Sequence, residues 1–213
     1  MNHSVRPHLL SNTALEAADL PLYPGIALHN VRLVDSQGLA GEALAALMAA
    51  EVIGFDTESK PTFNKGETSS GPHLVQLATA STVYLFQPAQ LRSTRELKTI
   101  LESPQLLKVG FGLGNDRSAL KNRLDIELNN VLDLGEVLRG PGHRGTVGAK
   151  VAVAHFFGQK LQKSKKTSTS NWATPRLSER QMLYAANDAL VALQIYRAWV
   201  VATASSQGQT SSP

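Results

Sequence analysis

Val52-Ile53-Gly54-Phe55-Asp56-Thr57-Glu58 is an apolar run that ends in two carboxylates one residue apart. On a strand, residues two apart share a face, so Asp56 and Glu58 point one way and Thr57 the other. Two acids on one side of a buried strand raise each other's pKa, and desolvation adds to the effect unless a cation neutralises them. Carboxylates are the hard oxygen ligands that magnesium and manganese prefer, so a divalent cation is the cheapest explanation of the pair.

Outward from this stretch the chain reads as alternating strands and helices. Before it, 26–34 has the pattern of a strand and the Ala- and Leu-rich 39–50 that of a helix. After it, 59–72, with Pro61, Gly66, Gly71 and Pro72, reads as a loop. Residues 74–78 and 82–86 are β-rich runs joined by Thr79-Ala80-Ser81, a hairpin beside the acid-bearing strand. A helix follows over 92–101, stopped by Pro104. Then come a short buried strand at 106–111, a glycine-rich turn through Gly112 and Gly114, and a helix from Asp116 to about 124. A strand is expected at 130–134, a helical turn within 133–139 and helix-like apolar spacing over 146–157. Lys160, Lys163, Lys165 and Lys166 then stand among Ser and Thr, a run that reads as a solvated loop or an electrostatic contact for phosphates. Ser178 with Gln181 forms a capping-box pattern that opens a last long helix reaching about Val201. The expected organisation is an arm over 1–24, one domain over 25–201 and a disordered Ser-, Gln- and Gly-rich tail over 202–213.

Composition narrows the classes. The 213 residues suffice for a full core, and 42% hydrophobic with 18% charged residues is ordinary for a globular protein. The absence of cysteine excludes disulfides, thiolate catalysis and cysteine-ligated zinc. A formal charge of +4 and a pI near 9.4 are compatible with a polyanionic partner. No apolar run reaches the ~20 residues of a membrane span. The N-terminal stretch lacks a signal-peptide pattern, and Glu16 and Asp19 argue against a transit peptide, so no membrane partner and a cytoplasmic location are expected.

On the last helix Tyr184 and Asp188 are four apart and share a face. Asp116 in a first helical turn could simply meet the helix dipole, and Asp188 alone could face solvent. A dinucleotide-binding reading of Gly110-x-Gly112-x-Gly114, with Asp133 as the ribose acid, fails at Asn115, where the third glycine of that fingerprint belongs. It also leaves Asp56, Glu58, Tyr184 and Asp188 unexplained.

The ordered set resembles the DEDD superfamily of 3′-to-5′ exonucleases, in its tyrosine-bearing branch, that of ribonuclease D and of the exonuclease domain of the Werner syndrome helicase. The matching words are Gly54-Phe55-Asp56-Thr57-Glu58, His73-Leu74-Val75-Gln76-Leu77-Ala78 with Tyr84-Leu85-Phe86, and Lys108-Val109-Gly110-Phe111-Gly112 leading to Asp116. Ser170-Asn171-Trp172, Leu177-Ser178, Gln181 and Tyr184-Ala185-Ala186-Asn187-Asp188-Ala189 complete them. The position at which the histidine-bearing branch carries its base is Leu183 here, so the tyrosine form fits. Ser59 stands where the family often has an aromatic, and Thr174-Pro175-Arg176 separates proline from Leu177-Ser178. Both departures bear on substrate preference.

The resemblance implies an α/β, ribonuclease-H-like fold, a mixed sheet flanked by helices. It implies hydrolysis from the 3′ end of single-stranded DNA or RNA with two divalent cations, Mg2+ or Mn2+, releasing nucleoside 5′-monophosphates. The implied ligands are Asp56, Glu58, Asp116 and Asp188, with Tyr184 orienting the attacking water. The backbone at Thr57 would meet the terminal 3′-hydroxyl, and Asn171 and Trp172 lie by the strand's path, Trp172 either stacking a base or packing in the core. Lys163, with Lys165 and Lys166, would track phosphates. Processivity would require a partner or a homo-oligomer. The alternative is a catalytically silent nucleic-acid-binding module of the same fold.

Overall fold

The computed structural model describes residues 19–62, 70–139 and 145–208. The acid-bearing run becomes strand β2, Val52–Glu58, with the expected bounds. It is flanked in the chain by β1 (Val31–Val34) and helix α1 (Gln37–Met48) before it, and by β3 (Leu74–Ala78) and β4 (Val83–Phe86) after it. Helix α2 (Arg95–Glu102), β5 (Leu107–Gly110), α3 (Gly114–Leu124) and β6 (Val131–Asp133) follow. The chain ends through α4 (Leu134–Val137), α5 (Ala149–Phe157), a single turn α6 (Lys165–Ser168) and the long α7 (Glu179–Gly208).

The strands form one mixed sheet in the order β1-β4-β3-β2-β5-β6. Only β3 runs against the others, because the hairpin must return the chain before β4 can lie parallel to β1. Alternation along β2 sends Ile53 and Phe55 to the face covered by α1, α2 and α3, where they join Leu47, Leu97, Ile100 and Leu120 in one core. Gly54, Asp56 and Glu58 face the opposite way. That side is covered by α7, whose Ala185, Ala186 and Ala189 pack with Leu74, Ala78 and Leu85, and by α5, which packs with Val191 and Leu193.

The approach of α7 to β2 is unusually close. A Cβ on Gly54 would lie 1.9 Å from the carbonyl oxygen of Ala189 and 3.2 Å from the Cβ of Ala78. Glycine on the strand and alanines on the helix are therefore what let the helix backbone settle on the strand two residues before Asp56.

Three expectations are corrected. The first strand does not begin at residue 26: Gly25 turns the chain at φ +69, Leu28–Asn30 forms a 3-10 turn, and the Ile26 amide donates to Asn187 Oδ1 at 2.9 Å. The lysine-rich loop contains the turn α6, capped by Ser164, whose Oγ accepts from the Thr167 amide at 3.3 Å. The last helix continues past Val201 to Gly208, so the tail reading from composition fails over 202–208. There Thr203 and Ser205 donate back to the Trp199 and Val201 carbonyls at 3.0 Å each, satisfying hydroxyls that would otherwise compete with the helix. Residues 209–213 lie outside the described residues, as do 1–18 of the expected arm and 63–69 of the expected loop. No helix among the described residues is long and apolar enough to cross a membrane.

On the far face Lys108 of β5 is fully buried, its ammonium donating to the Ser103 carbonyl at 2.7 Å, and burial pushes its pKa down to about 8 from 10.5. Between those values the unfolded chain binds the proton and the folded chain does not, so stability rises with pH across the window. Lys108→Met should therefore be more stable than wild type at pH 7, with the gain shrinking between pH 8 and 10.5 in denaturant titrations. Gly54→Ala should cost about 3 kcal/mol of stability through overpacking. Gly41→Ala, inside α1 with nothing within 4 Å of the added carbon, should gain up to about 1 kcal/mol. Thermal melts by circular dichroism read both.

Candidate active site

The carboxyl end of β2 carries Asp56 and Glu58 out of the sheet toward α7. On α7 Asp188 is 8% exposed and one turn from Tyr184. Asp116 reaches the same end of β2 from the opposite layer. It sits in the first turn of α3, and the Thr57 hydroxyl, on the other face of the strand from Asp56, donates to its Oδ1. The Thr57 amide donates back to Asp56 Oδ1 at 2.9 Å. The structure thus brings together all five predicted catalytic residues, with Thr57 as the link between the two sides.

The electrostatics are those of a crowded anion cluster. Burial, then Asp188 and Asp116, hold the Asp56 carboxyl well above the usual carboxylate range. Burial, then Asp56 and Asp188, push Glu58 up to about 9. Asp116 is raised by burial against the opposing hydrogen bond from Thr57. Burial also raises Asp188 although Lys163 opposes it. Lys163 Nζ lies 2.9 Å from Asp188 Oδ1 and 5.9 Å from the centre of the Tyr184 ring. Burial works to lower Lys163, yet Asp188, Asp56 and Tyr184 together hold it above its ordinary value. Tyr184 is pushed up to about 12 by burial and by Asp188, so its hydroxyl keeps its proton at neutral pH and acts as a donor.

The donor set fits a divalent cation by its chemistry: hard oxygens, little exposure and a surplus of negative charge met by one ammonium. In this conformation no three His, Asp or Glu side chains among the described residues converge to hold an ion. Lys163 is the cation that Asp188 meets here.

The expected substrate residues divide. Lys163 is turned inward onto Asp188, whereas Lys165 and Lys166 are exposed on α6. Asn171 is exposed, its Oδ1 accepting from the Ala173 amide at 3.1 Å. Trp172 is fully buried, donates to the Ser168 carbonyl at 3.1 Å and packs 6.1 Å from the Tyr184 ring, so base stacking is overturned and it serves as the back wall behind Tyr184. The capping box is present: Gln181 Oε1 accepts from the Ser178 amide at 3.0 Å, and its Nε2 donates to Ser170 Oγ and the Asn171 carbonyl, tying 170–171 to α7.

Two residues hold structural roles that the sequence did not announce. Asp133 accepts from the amides of Gly112, Leu113 and Gly135 at 3.1, 2.8 and 2.8 Å, pinning the turn that delivers Asp116 and capping α4. An Asp at a strand end before a helical turn is a cap signal that could have found it. Its oxygens serve the backbone, which disposes of the ribose-binding role. Asn187, beside Asp188, anchors the incoming chain through Ile26 and donates to the Leu183 carbonyl at 2.8 Å. No local pattern announces that contact.

With this site on the fold, the class is defined: residues 31–199 match the 3′-5′ exonuclease family, and the chain belongs to that family. It is 29% identical over 177 residues to the mouse bifunctional 3′-5′ exonuclease/ATP-dependent helicase WRN, covering 82% of this chain and 13% of that protein. The chain thus spans a small part of that relative's length. Among solved structures it is similar to the Aedes aegypti Nibbler EXO domain, at 28% identity and TM-score 0.67 over 81% of this chain and 88% of that one. It is also similar to Escherichia coli RNase D, an exoribonuclease involved in structured RNA processing, at 24% identity and TM-score 0.71 over 83% and 46%. The last match shows the fold, the expected ribonuclease-H-like mixed sheet.

Because Glu58 keeps its proton to higher pH in the folded than in the unfolded chain, its contribution to stability is full below about pH 4.5 and is lost as pH rises toward 9. In EDTA the melting temperature should fall across that window, and Glu58→Gln should flatten the fall, as read by calorimetry from pH 5 to 9. Manganese should raise the melting temperature more at pH 8 than at pH 5, since cation and proton compete for the same oxygens.

Proposed function

We propose that the chain is a metal-dependent 3′-to-5′ exonuclease that shortens single-stranded DNA or RNA from its 3′ end and releases nucleoside 5′-monophosphates. The observation that carries this reading is the meeting of Asp56, Glu58, Asp116 and Asp188 with Tyr184 at one end of β2, in a chain of the 3′-5′ exonuclease family.

Asp56, Glu58, Asp116 and Asp188 would hold two divalent cations, magnesium or manganese. When bound, such ions supply Lewis acidity at the scissile phosphate and make water acidic enough to attack it. The chain's own groups then divide the work. Tyr184, its proton held on Oη, orients the attacking water by hydrogen bonding. The water oxygen bonds to phosphorus and gives up a proton to solvent, the bond to the 3′ oxygen of the penultimate nucleotide breaks, and that oxygen takes a proton from solvent. The Thr57 backbone meets the terminal 3′-hydroxyl. Lys163, once Asp188 is otherwise engaged, is free to meet a phosphate, while Lys165 and Lys166 attract the incoming strand from the surface.

A second reading, a silent nucleic-acid-binding module, is favoured by one observation: Lys163 already pairs with Asp188. A gel assay separates the two. Single-stranded DNA and RNA labelled at the 5′ end are incubated with magnesium, manganese or EDTA. The proposal expects a ladder shortening from the 3′ end with metal, none in EDTA, and a loss of about 100-fold or more in Asp188→Asn. Binding of both strands without cleavage under any metal would leave the silent module standing. The preferred strand identifies the substrate.

A further inference from the structure

A second concave site lies beside the carboxylate cluster and takes no part in it. A cavity of about 380 Å³ is lined by Tyr23, Pro24, Gly25, Phe157, Gln159 and Gln194. Its wall holds no charged side chain, so it suits a neutral ligand. The rings of Tyr23 and Phe157 are near-parallel, 20° apart in plane with centroids 6.3 Å apart, and form an aromatic surface. Two amides complete it. Gln194 Oε1 accepts the Tyr23 hydroxyl at 2.6 Å, which leaves its Nε2 to donate, and Gln159 offers one donor and one acceptor.

Two short routes, one along the chain and one across a packing contact, tie the cavity to the cluster. Gln159 is four residues before Lys163, at most about 14 Å of chain, and Lys163 touches Asp188. On the other wall a Cβ at Gly25 would meet the Asn187 amide at 2.6 Å, and Asn187 adjoins Asp188. Exposed Lys160 borders the cavity, its backbone carbonyl accepting from the Tyr23 amide at 3.0 Å.

The geometry points to a subsite for one unpaired nucleobase, upstream of the 3′ end that the exonuclease reading, on which this rests, puts at the carboxylates. An aromatic wall with amide edges and no fixed charge matches a flat, neutral heterocycle, and Lys160 supplies a cation for its phosphate. Every base has a π-face and glutamine amides can pair with any base edge, so the subsite grips without reading sequence.

The test uses the whole 213-residue chain and 5′-fluorescein oligo(dT) of two to twelve nucleotides, with affinity read by anisotropy in EDTA. Affinity should step up about 5- to 100-fold as the strand grows long enough to reach the cavity, the range lost with one base–aromatic stack. The step should vanish in Tyr23→Leu, shrink in Gln159→Ala, and be kept when oligo(dA) replaces oligo(dT). Gln159 is partly buried and belongs to none of the core clusters, so its variant keeps the test valid if Tyr23→Leu melts early. Absence of the step in wild type, or its persistence in both variants, overturns the subsite. Dinucleotide hydrolysis with manganese, unchanged in both variants, is followed in parallel. Hydrolysis without the step sinks the subsite alone, and the step without hydrolysis at any length sinks the exonuclease reading alone.

Discussion

The structure depends on one steric constraint, the contact of the α7 backbone with β2 at Gly54. No side chain fits between the glycine and the Ala189 carbonyl, so helix and strand are held at backbone distance. Asp56 lies two residues beyond Gly54, and Asp188 immediately precedes Ala189. The same contact therefore sets the spacing of two acids that are far apart in the chain. A larger residue at either point would push the helix outward and separate them, whatever their own side chains. The alanines at 185, 186 and 189 extend this close packing along the sheet.

That spacing has an electrostatic cost, which the site's other residues manage. Burial raises the pKa of all four carboxyl groups gathered at the end of one strand, and neighbouring acids raise Asp56 and Glu58 further. Lys163 offsets part of this by pairing with Asp188. Tyr184 is kept protonated by burial and by Asp188, with the buried Trp172 behind it. A cluster so arranged favours cations, and the Lys163 ammonium answers that at one aspartate. The lysine is thus part of the same balance as the acids.

Much of the surrounding order serves to present these groups. Asp133 holds the Gly112–Leu113 turn through backbone amides, so α3 starts where Asp116 meets Thr57. Gln181 ties the 170–171 segment to the start of α7, and Asn187 ties the entering chain to its middle. Each is an amide or carboxylate bonded largely to backbone, an arrangement that fixes loops firmly in a low-dielectric setting. The aromatic cavity at Tyr23 and Phe157 depends on the same anchoring of the entering chain.

The sequence by itself determined most of the elements and which acidic groups gather at the end of β2. The β2 run, the β3–β4 hairpin, the glycine turn before Asp116 and the capping box before Tyr184 and Asp188 rest on period, turn chemistry and propensity, which act over a few residues. Where local signals are weak the sequence misleads. The pattern at 26–30 is overridden by a long-range bond from Ile26 to Asn187, and the tail composition by the continuation of α7, along which the hydroxyls bond back to carbonyls. Only the tertiary structure decided that Trp172 is core, that Lys163 turns inward, that Asp133 is a brace, and that Thr57 joins the two sides of the site. Burial and charge pairing depend on distances between residues more than a hundred positions apart in the chain, such as Asp56 and Asp188, and those distances exist only once helix and sheet have packed.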